Sequence, residues 1–425
     1  MDSLSNSGPG RPLKVVMLST YPKGGAGWAC FRLAEALRGE GHEVRLLTAH
    51  KGPAGTDWQV VAQPKVNRWQ AYAMRLGLRK NHYQFRNKFL ASLSPEYDWF
   101  SFPESEYEVE KHPDLQWADV IHLHWVADFI DMPRFFKRWA GRKPIFWTLH
   151  DMNPLTGGCH YIGTCAGFKI GCPVCPQVPP GYKKTLAAEG FSLKQEVLEN
   201  VMGSHLQLIA LSSWMEVMMK SPLLNRFKRH RAVNPVDVSI FKPAPSPLRN
   251  QLCIPSEMRL LLFVADYTSN KRKGADLLME ALKILDIPAG MSVGLLTVGE
   301  GQMPSIPIGM SHFPLGKLSS PEDMAQAYQA ADFFILPSRQ DNLPNTAVEA
   351  LACGTPVVGF NVGGVADLID APEKGVLVEG VSATALARGI EKALQTEYVR
   401  EANVEKYAYA SVARHYAELY QKSFA

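Results

Sequence analysis

No stretch of the 425 residues approaches the ~18–20 uncharged apolar residues of a membrane-spanning helix, so no such span is expected. The opening MDSLSNSGPGRP has neither a basic start nor an apolar core. It reads as a short disordered lead over residues 1–12 and not as a secretory signal. A cytoplasmic location is the expectation, and there thiols stay reduced. Charge excess is slight: 45 Lys and Arg against 41 Asp and Glu leave +4, too little to argue for a nucleic-acid partner. Repeats and low-complexity tracts are missing too, which sets aside solenoids and linkers. Hydrophobic residues make up 46% and charged residues 20%, as in a soluble globular protein. A chain of 425 residues exceeds one ordinary core, so two domains are expected.

One local deficit stands out. From Trp58 to Pro95 there is no acidic residue, while Lys65, Arg68, Arg75, Arg79, Lys80, Arg86 and Lys88 are interleaved with Trp58, Trp69, Tyr72, Tyr83, Phe85 and Phe89. Such a segment could lie on an anionic membrane surface, each nearby base contributing roughly 1 kcal/mol. It could bind an anionic or lipid-linked acceptor. It could equally be a helical insertion, here bounded as 58–110, whose aromatics pack on the adjoining core.

The stretch around which the chain is organised runs from Asp332 to Asp367. Phe333 to Leu336 form an apolar run of buried-strand type. A polar loop, Pro337 to Leu343, leads into Pro344-Asn345, where a helix would start. Gly354 and Pro356 close it, Val357 to Phe360 give the next strand, and Gly363-Gly364 a tight turn. A helix N-terminus just after a strand offers free N–H groups and a favourable dipole to a phosphate. Asp341 and Glu349 flank it, and a carboxylate accepts hydrogen bonds from the hydroxyls of a sugar or ribose. In isolation the pair would also suit an ordinary turn, with a solvated loop acid and a helix-face acid.

Elsewhere the order alternates between strand and helix. Leu13 to Ser19 is a first strand, followed by a loop Tyr21 to Gly27 containing Gly24 and Gly25, then a helix from about Trp28 to Arg38 and a strand Val44 to Thr48. The second strand ends Thr48-Ala49-His50 without the acid a dinucleotide fold wants. Two more strands cover 119–125 and 144–149. The latter ends in His150, at the sheet edge where open α/β folds bind ligands. His122 and His124 share one strand face and read as structural. In the second half, Lys271, Arg272 and Lys273 precede a helix over 275–285, a place for cations to hold a diphosphate.

Cys159, Cys165, Cys172 and Cys175 fall within 17 residues, spaced C-x5-C-x6-C-x2-C, inside a Gly- and Pro-rich loop over 153–180. Four thiolates in so short a loop suit a structural tetrahedral Zn²⁺. An iron–sulfur cluster or a pair of disulfides are the other readings. Cys30, Cys253 and Cys353 sit in apolar surroundings and read as buried, inert thiols.

The string Pro337-Ser338, Asp341, Glu349-Ala350, Gly354 to Val358 and Gly363-Gly364 closely resembles the signature of the family-4 retaining glycosyltransferases. His150 matches that family's Thr-x-His element. The HDM and GGCHY runs resemble its colanic-acid and polysaccharide-biosynthesis members. Two departures stand out: Asp341 replaces the usual Glu, and the early Arg of the diphosphate loop has no counterpart, so Arg272 would substitute. The resemblance implies the GT-B arrangement, an α/β fold of two Rossmann-like parallel-sheet domains facing a cleft. Residues 13–240 would form the acceptor-side domain and 241–398 the nucleotide-sugar domain. A C-terminal helix over 399–425 would pack back on the first domain.

The implied activity is transfer of a hexose, with retention, from a nucleoside-diphosphate sugar to a glycan, lipid-linked or small-molecule acceptor. In that reading Lys273, Arg272 and the N–H groups near Asn342 and Leu343 hold the diphosphate, and Glu349 takes the ribose. Asp341, His150 and the Gly24-Gly25 loop face the sugar, and no catalytic metal cofactor is required. Peripheral contact with the inner face of the membrane through 58–95 accompanies this reading. An epimerase or hydrolase on the same architecture, and a catalytically silent scaffold, are the alternatives.

Overall fold

A computed structural model describes residues 11–63, 82–303, 305–401 and 404–424. Among the described residues there are two sheets, each with every strand parallel. The first is ordered β3-β2-β1-β4-β5-β6-β7. Its strands are β1 (Lys14–Leu18), β2 (Glu43–Thr48), β3 (Gln59–Val60), β4 (Val120–Leu123), β5 (Ile145–Leu149), β6 (Leu206–Ala210) and β7 (Lys228–Arg231). The second is ordered β10-β9-β8-β11-β12-β13. It contains β8 (Arg259–Tyr267), β9 (Val293–Glu300), β10 (Ser311–Pro314), β11 (Phe333–Leu336), β12 (Val357–Phe360) and β13 (Gly375–Val378).

Both faces of each sheet are covered, which is why the strands read as continuous apolar runs. Side chains alternate between faces along a strand. Val16 and Leu18 therefore join one buried cluster of the first domain, while Val15 and Met17 join another. In β8, Leu260 and Leu262 point one way and Leu261 and Phe263 the other. The strand order reverses between β1 and β4 and again between β8 and β11. A crevice opens beyond the carboxyl ends of the strands at such a reversal. The loops after β1, β4 and β5, and those after β8 and β11, carry the residues considered below.

The chain crosses between the domains twice, and the crossings run side by side. Val236 pairs with Ala408 in a parallel bridge, and its N–H donates to Tyr407 O at 2.8 Å. The final helix, Tyr409–Gln421, then lies on the helix Gly24–Gly39 of the first domain. Val412, Tyr416 and Tyr420 bury themselves with Leu33, Leu37 and Met17 in one cluster. The Tyr420 hydroxyl stands 2.6 Å from His122 Nδ1.

Two local expectations are corrected. Gly24 to Gly27 are not loop but the first turn of the helix Gly24–Gly39. A Cβ on Gly27 would stand 2.5 Å from Tyr21 O, so small residues let this turn back onto the strand-end chain. Cys253 is exposed: it follows the short helix Leu248–Gln251 in a left-handed turn at φ 52° instead of entering the core. In the described part of the basic segment, the helix His82–Ala91, the packing alternative is the one seen, through Phe89. Phe89 is fully buried, and Phe85 and Phe89 pack against Phe102 and Tyr182. Arg86 pairs with Asp128 at 3.6 Å. Lys65, Arg68, Arg75, Arg79 and Lys80 lie outside the described residues, as do residues 1–10 of the lead. Among the described residues no helix is long and apolar enough to cross a membrane.

Candidate active site

The loop after β11 is the meeting point of the two domains. Asn342 is 5% exposed and reaches into the first domain. Its Nδ2 donates to Leu149 O at 2.8 Å and to His150 O at 3.3 Å, and its Oδ1 accepts from Ser212 Oγ at 2.5 Å. Two glycines make this approach possible. A Cβ on Gly363 would fall 1.7 Å from Asp341 O, and one on Gly364 would fall 1.9 Å from Asn342 O and 2.3 Å from Ser212 Cβ. Gly363 also holds φ 57°, which few side-chain-bearing residues adopt.

Asp341, one residue earlier, points toward the loop after β8. Its Oδ2 accepts from Lys273 Nζ at 2.8 Å and lies 3.5 Å from Arg272 Nη1. Burial pushes the Asp341 carboxyl up, but Lys273 and Arg272 outweigh it and hold the group below the ordinary carboxylate range. Arg272 also donates to Asp98 at 2.5 Å and stacks on the Tyr161 ring with its central carbon 4.0 Å from the centroid. Lys273 owes its position to Gly274, whose φ of 76° starts the helix Ala275–Lys283 and whose missing Cβ leaves room for Pro337 O.

Glu349 sits on the helix Asn345–Ala352 and is 7% exposed. One oxygen takes Arg32 Nη1 at 2.7 Å and the other takes the Tyr328 hydroxyl at 3.0 Å. At the start of the same helix, Asn345 Nδ2 donates to Gly25 O at 2.9 Å. Gly25, Glu349, Asn342, Asp341 and Lys273 thus line one interdomain seam. Leu343 is buried in the second domain's core just below it.

His150 follows β5 and bonds to a second histidine, with His124 Nδ1 3.0 Å from His150 Nε2. Burial lowers the His150 pKa to about 4 and drives His124 well below its ordinary value, so both rings are neutral near pH 7. His122, on the same strand face as His124, is held by Tyr420 and Thr148. Beneath them Asp151 accepts from Trp125 Nε1 and lies 2.6 Å from His160 Nδ1. The Asp151 carboxyl is raised by burial and lowered more strongly by His160 and its hydrogen bonds.

Sequence reasoning missed four residues of this seam: Arg32, Asp98, Tyr161 and Gln340, whose Oε1 accepts from Gly163 N–H at 3.0 Å. Arg32 carried the one signal that could have been read, a cation between buried Cys30 and Leu33 on an otherwise apolar helix face.

A family profile described as "Glycosyl transferases group 1" matches residues 258–396. Those residues are a glycosyl transferases group 1 domain. The group 1 domain contributes Lys273, Asp341, Asn342 and Glu349, and the first domain contributes His150 and the Gly25 turn. A D-inositol 3-phosphate glycosyltransferase of Thermobispora bispora is 29% identical over 220 residues, 46% of this chain and 51% of that protein. The chain thus spans about half the length of that curated relative in the match. Sucrose-phosphate synthase from Thermosynechococcus elongatus shares the fold at TM-score 0.63 and 19% identity, covering 96% of this chain and 98% of that one. Anabaena HepE, solved with UDP and glucose, superposes at TM-score 0.56 and 16% identity, over 96% of this chain and 95% of that chain. The group 1 domain and its partner therefore adopt the GT-B fold.

Proposed function

We propose that this protein transfers a hexose, with retention, from a nucleoside-diphosphate sugar to a glycan, lipid-linked or small-molecule acceptor. The observation that carries the reading is the seam itself. Near the carboxyl edges of both sheets Asn342 reaches the His150 backbone, Asn345 the Gly25 carbonyl and Glu349 the Arg32 side chain of the first domain, with the Lys273–Asp341 pair in the neighbouring loops. Cations and hydroxyl-accepting carboxylates side by side suit a ligand that is anionic at one point and a polyol on either side.

In this reading Lys273 and Arg272 exchange Asp341 for the diphosphate and stabilise it as it leaves. The bond between the anomeric carbon and the phosphate oxygen breaks. An acceptor hydroxyl oxygen forms the new bond, and its proton passes to the departing phosphate. Asp341 and neutral His150 orient the sugar hydroxyls, and Glu349 takes the ribose. That nucleotide-sugar-binding role for Glu349 requires the ribose to share or displace Arg32. The solved pairing of HepE with UDP and glucose supports a uridine donor as the first to test.

The test is thermal stability of the reduced protein against UDP, GDP, ADP, CMP and their sugars. A ligand at ~100 times its Kd adds about 2.7 kcal/mol to the native state. A shift with one diphosphate, lost in Lys273→Ala, is the expected result. Silence toward every diphosphate and sugar nucleotide would overturn the reading.

A further inference from the structure

The loop after β5 holds a second site, apart from the seam. Cys159, Cys165, Cys172 and Cys175 line one small cavity of about 10 Å³ together with Phe168 and Ile162. The volume matches a single water-sized sphere. All seven cysteines of the chain are unbridged thiols. Four of these free thiols surround the one cavity.

Backbone N–H groups are directed at these sulfurs. Gly157 N–H donates to Cys172 Sγ at 3.3 Å and Gly167 N–H to Cys165 Sγ at 3.4 Å. At Cys175 it is the carbonyl that is engaged, accepting from Val178 N–H at 3.3 Å. Cys172 adopts φ 53°, a left-handed conformation that a residue with a Cβ holds only against a cost. Nothing in thiol packing asks for that. Sulfur is a weak acceptor when neutral and a good one as thiolate, so the N–H groups fit a charged ligand set. Lys194, 1% exposed, lies within electrostatic reach of Cys159 and Cys172 and anchors to Asn153 O and Thr156 O at 2.5 and 3.0 Å. A buried cation there would offset the excess negative charge of four thiolates around a divalent ion.

We propose that the four cysteines bind one structural Zn²⁺. Among the described residues no three His, Cys, Asp or Glu side chains stand ready-made to hold a metal ion. Binding therefore requires the four sulfurs to close inward on the cavity, with release of their protons. The consequence reaches the seam. Between the first two ligands lie Tyr161, on which Arg272 stacks, and Gly163, which bonds Gln340 of the other domain. Metal binding would fix this loop and with it the position of Arg272, without touching the reacting atoms.

The test is elemental analysis of the untagged, reduced protein, followed by cobalt exchange and optical spectroscopy. The expected result is about one zinc per chain and, after exchange, the absorption of tetrahedral thiolate-bound cobalt. Cys172→Ser and Cys175→Ser should lose the metal, and Cys253→Ser should keep it. The wild-type measurement stands even where a loop variant fails to fold. Bound iron with visible absorption, disulfides found by thiol counting, or protein that neither carries nor takes up zinc would each overturn the proposal. None of these outcomes depends on a sugar donor, so failure here leaves the transferase reading standing.

Discussion

Arg32 and Glu349 meet across the two domains at 2.7 Å, with side chains only 12% and 9% exposed. Breaking a buried pair by removing one partner typically costs about 3–5 kcal/mol, because the other charge is left uncompensated. Arg32→Met is expected to lower stability by an amount of that order. Arg32→Met with Glu349→Gln should recover most of it, since the neutral amide needs no cation. Denaturant melts of the two variants check this. Equal losses in both would show that Arg32 acts through packing alone.

Lys273 is the cation placed to receive a diphosphate. Its loss should weaken sugar-nucleotide binding about 10- to 100-fold, the value of one charged hydrogen bond of about 1.5–3 kcal/mol. Calorimetric titration of Lys273→Ala with the donor identified by thermal shift reads this directly. Unchanged affinity would remove Lys273 from the site.

Gly364→Ala tests the close approach of the loop after β11. The added methyl would have to displace Asn342 O or Ser212, both under 2.5 Å from its ideal place. A cost of about 1–3 kcal/mol is expected. Donor affinity should fall as well, because Asn342 carries the contact to the His150 backbone. A variant with native melting temperature and affinity would mean the loop yields freely.

Acid should destabilise the fold in a defined order. His150 and His122 have pKa values lowered by burial to about 4 and about 3, so the unfolded chain binds their protons first. Stability should therefore decline as the pH drops from about 6.5, the ordinary histidine value, toward 4. Asp341 and Asp151 are held low in the fold. Their contribution is present above the ordinary carboxylate pKa and is lost as the pH falls through their native values. Melts between about pH 8 and about pH 4, which span the fall from the ordinary histidine value to that of His150, should show a shallower slope in His150→Gln. An unaltered slope would exclude His150 from the response.

Much of the group 1 domain could be read locally, because its signals are short-range. The apolar run at Phe333 to Leu336, the start at Asn345 and the stop at Gly354 each appear as expected. The partners of the site residues could not be read that way. Arg272 reaches Asp98 across 174 positions and Asn345 reaches Gly25 across 320, and no periodicity encodes such pairings. The glycine turn was misjudged for a related reason. What sets it apart is the close approach of Tyr21 O to Gly27, which a run of glycines does not by itself reveal. Cys253 has apolar neighbours in sequence, but its left-handed turn sends it outward.

The helix Tyr409–Gln421 lends the first domain Val412, Tyr416, Leu419 and Tyr420, each worth about 1.5–3 kcal/mol when fully buried. Against a total stability of about 5–15 kcal/mol, a chain stopped before Tyr409 should not hold its first domain together. Limited proteolysis of such a truncation would reveal that as rapid loss of the N-terminal half, while a resistant half would show the helix to be dispensable. The order of synthesis adds its own consequence. The first domain's core includes a helix that is translated only after the whole second domain, so that core cannot close until both domains have been made.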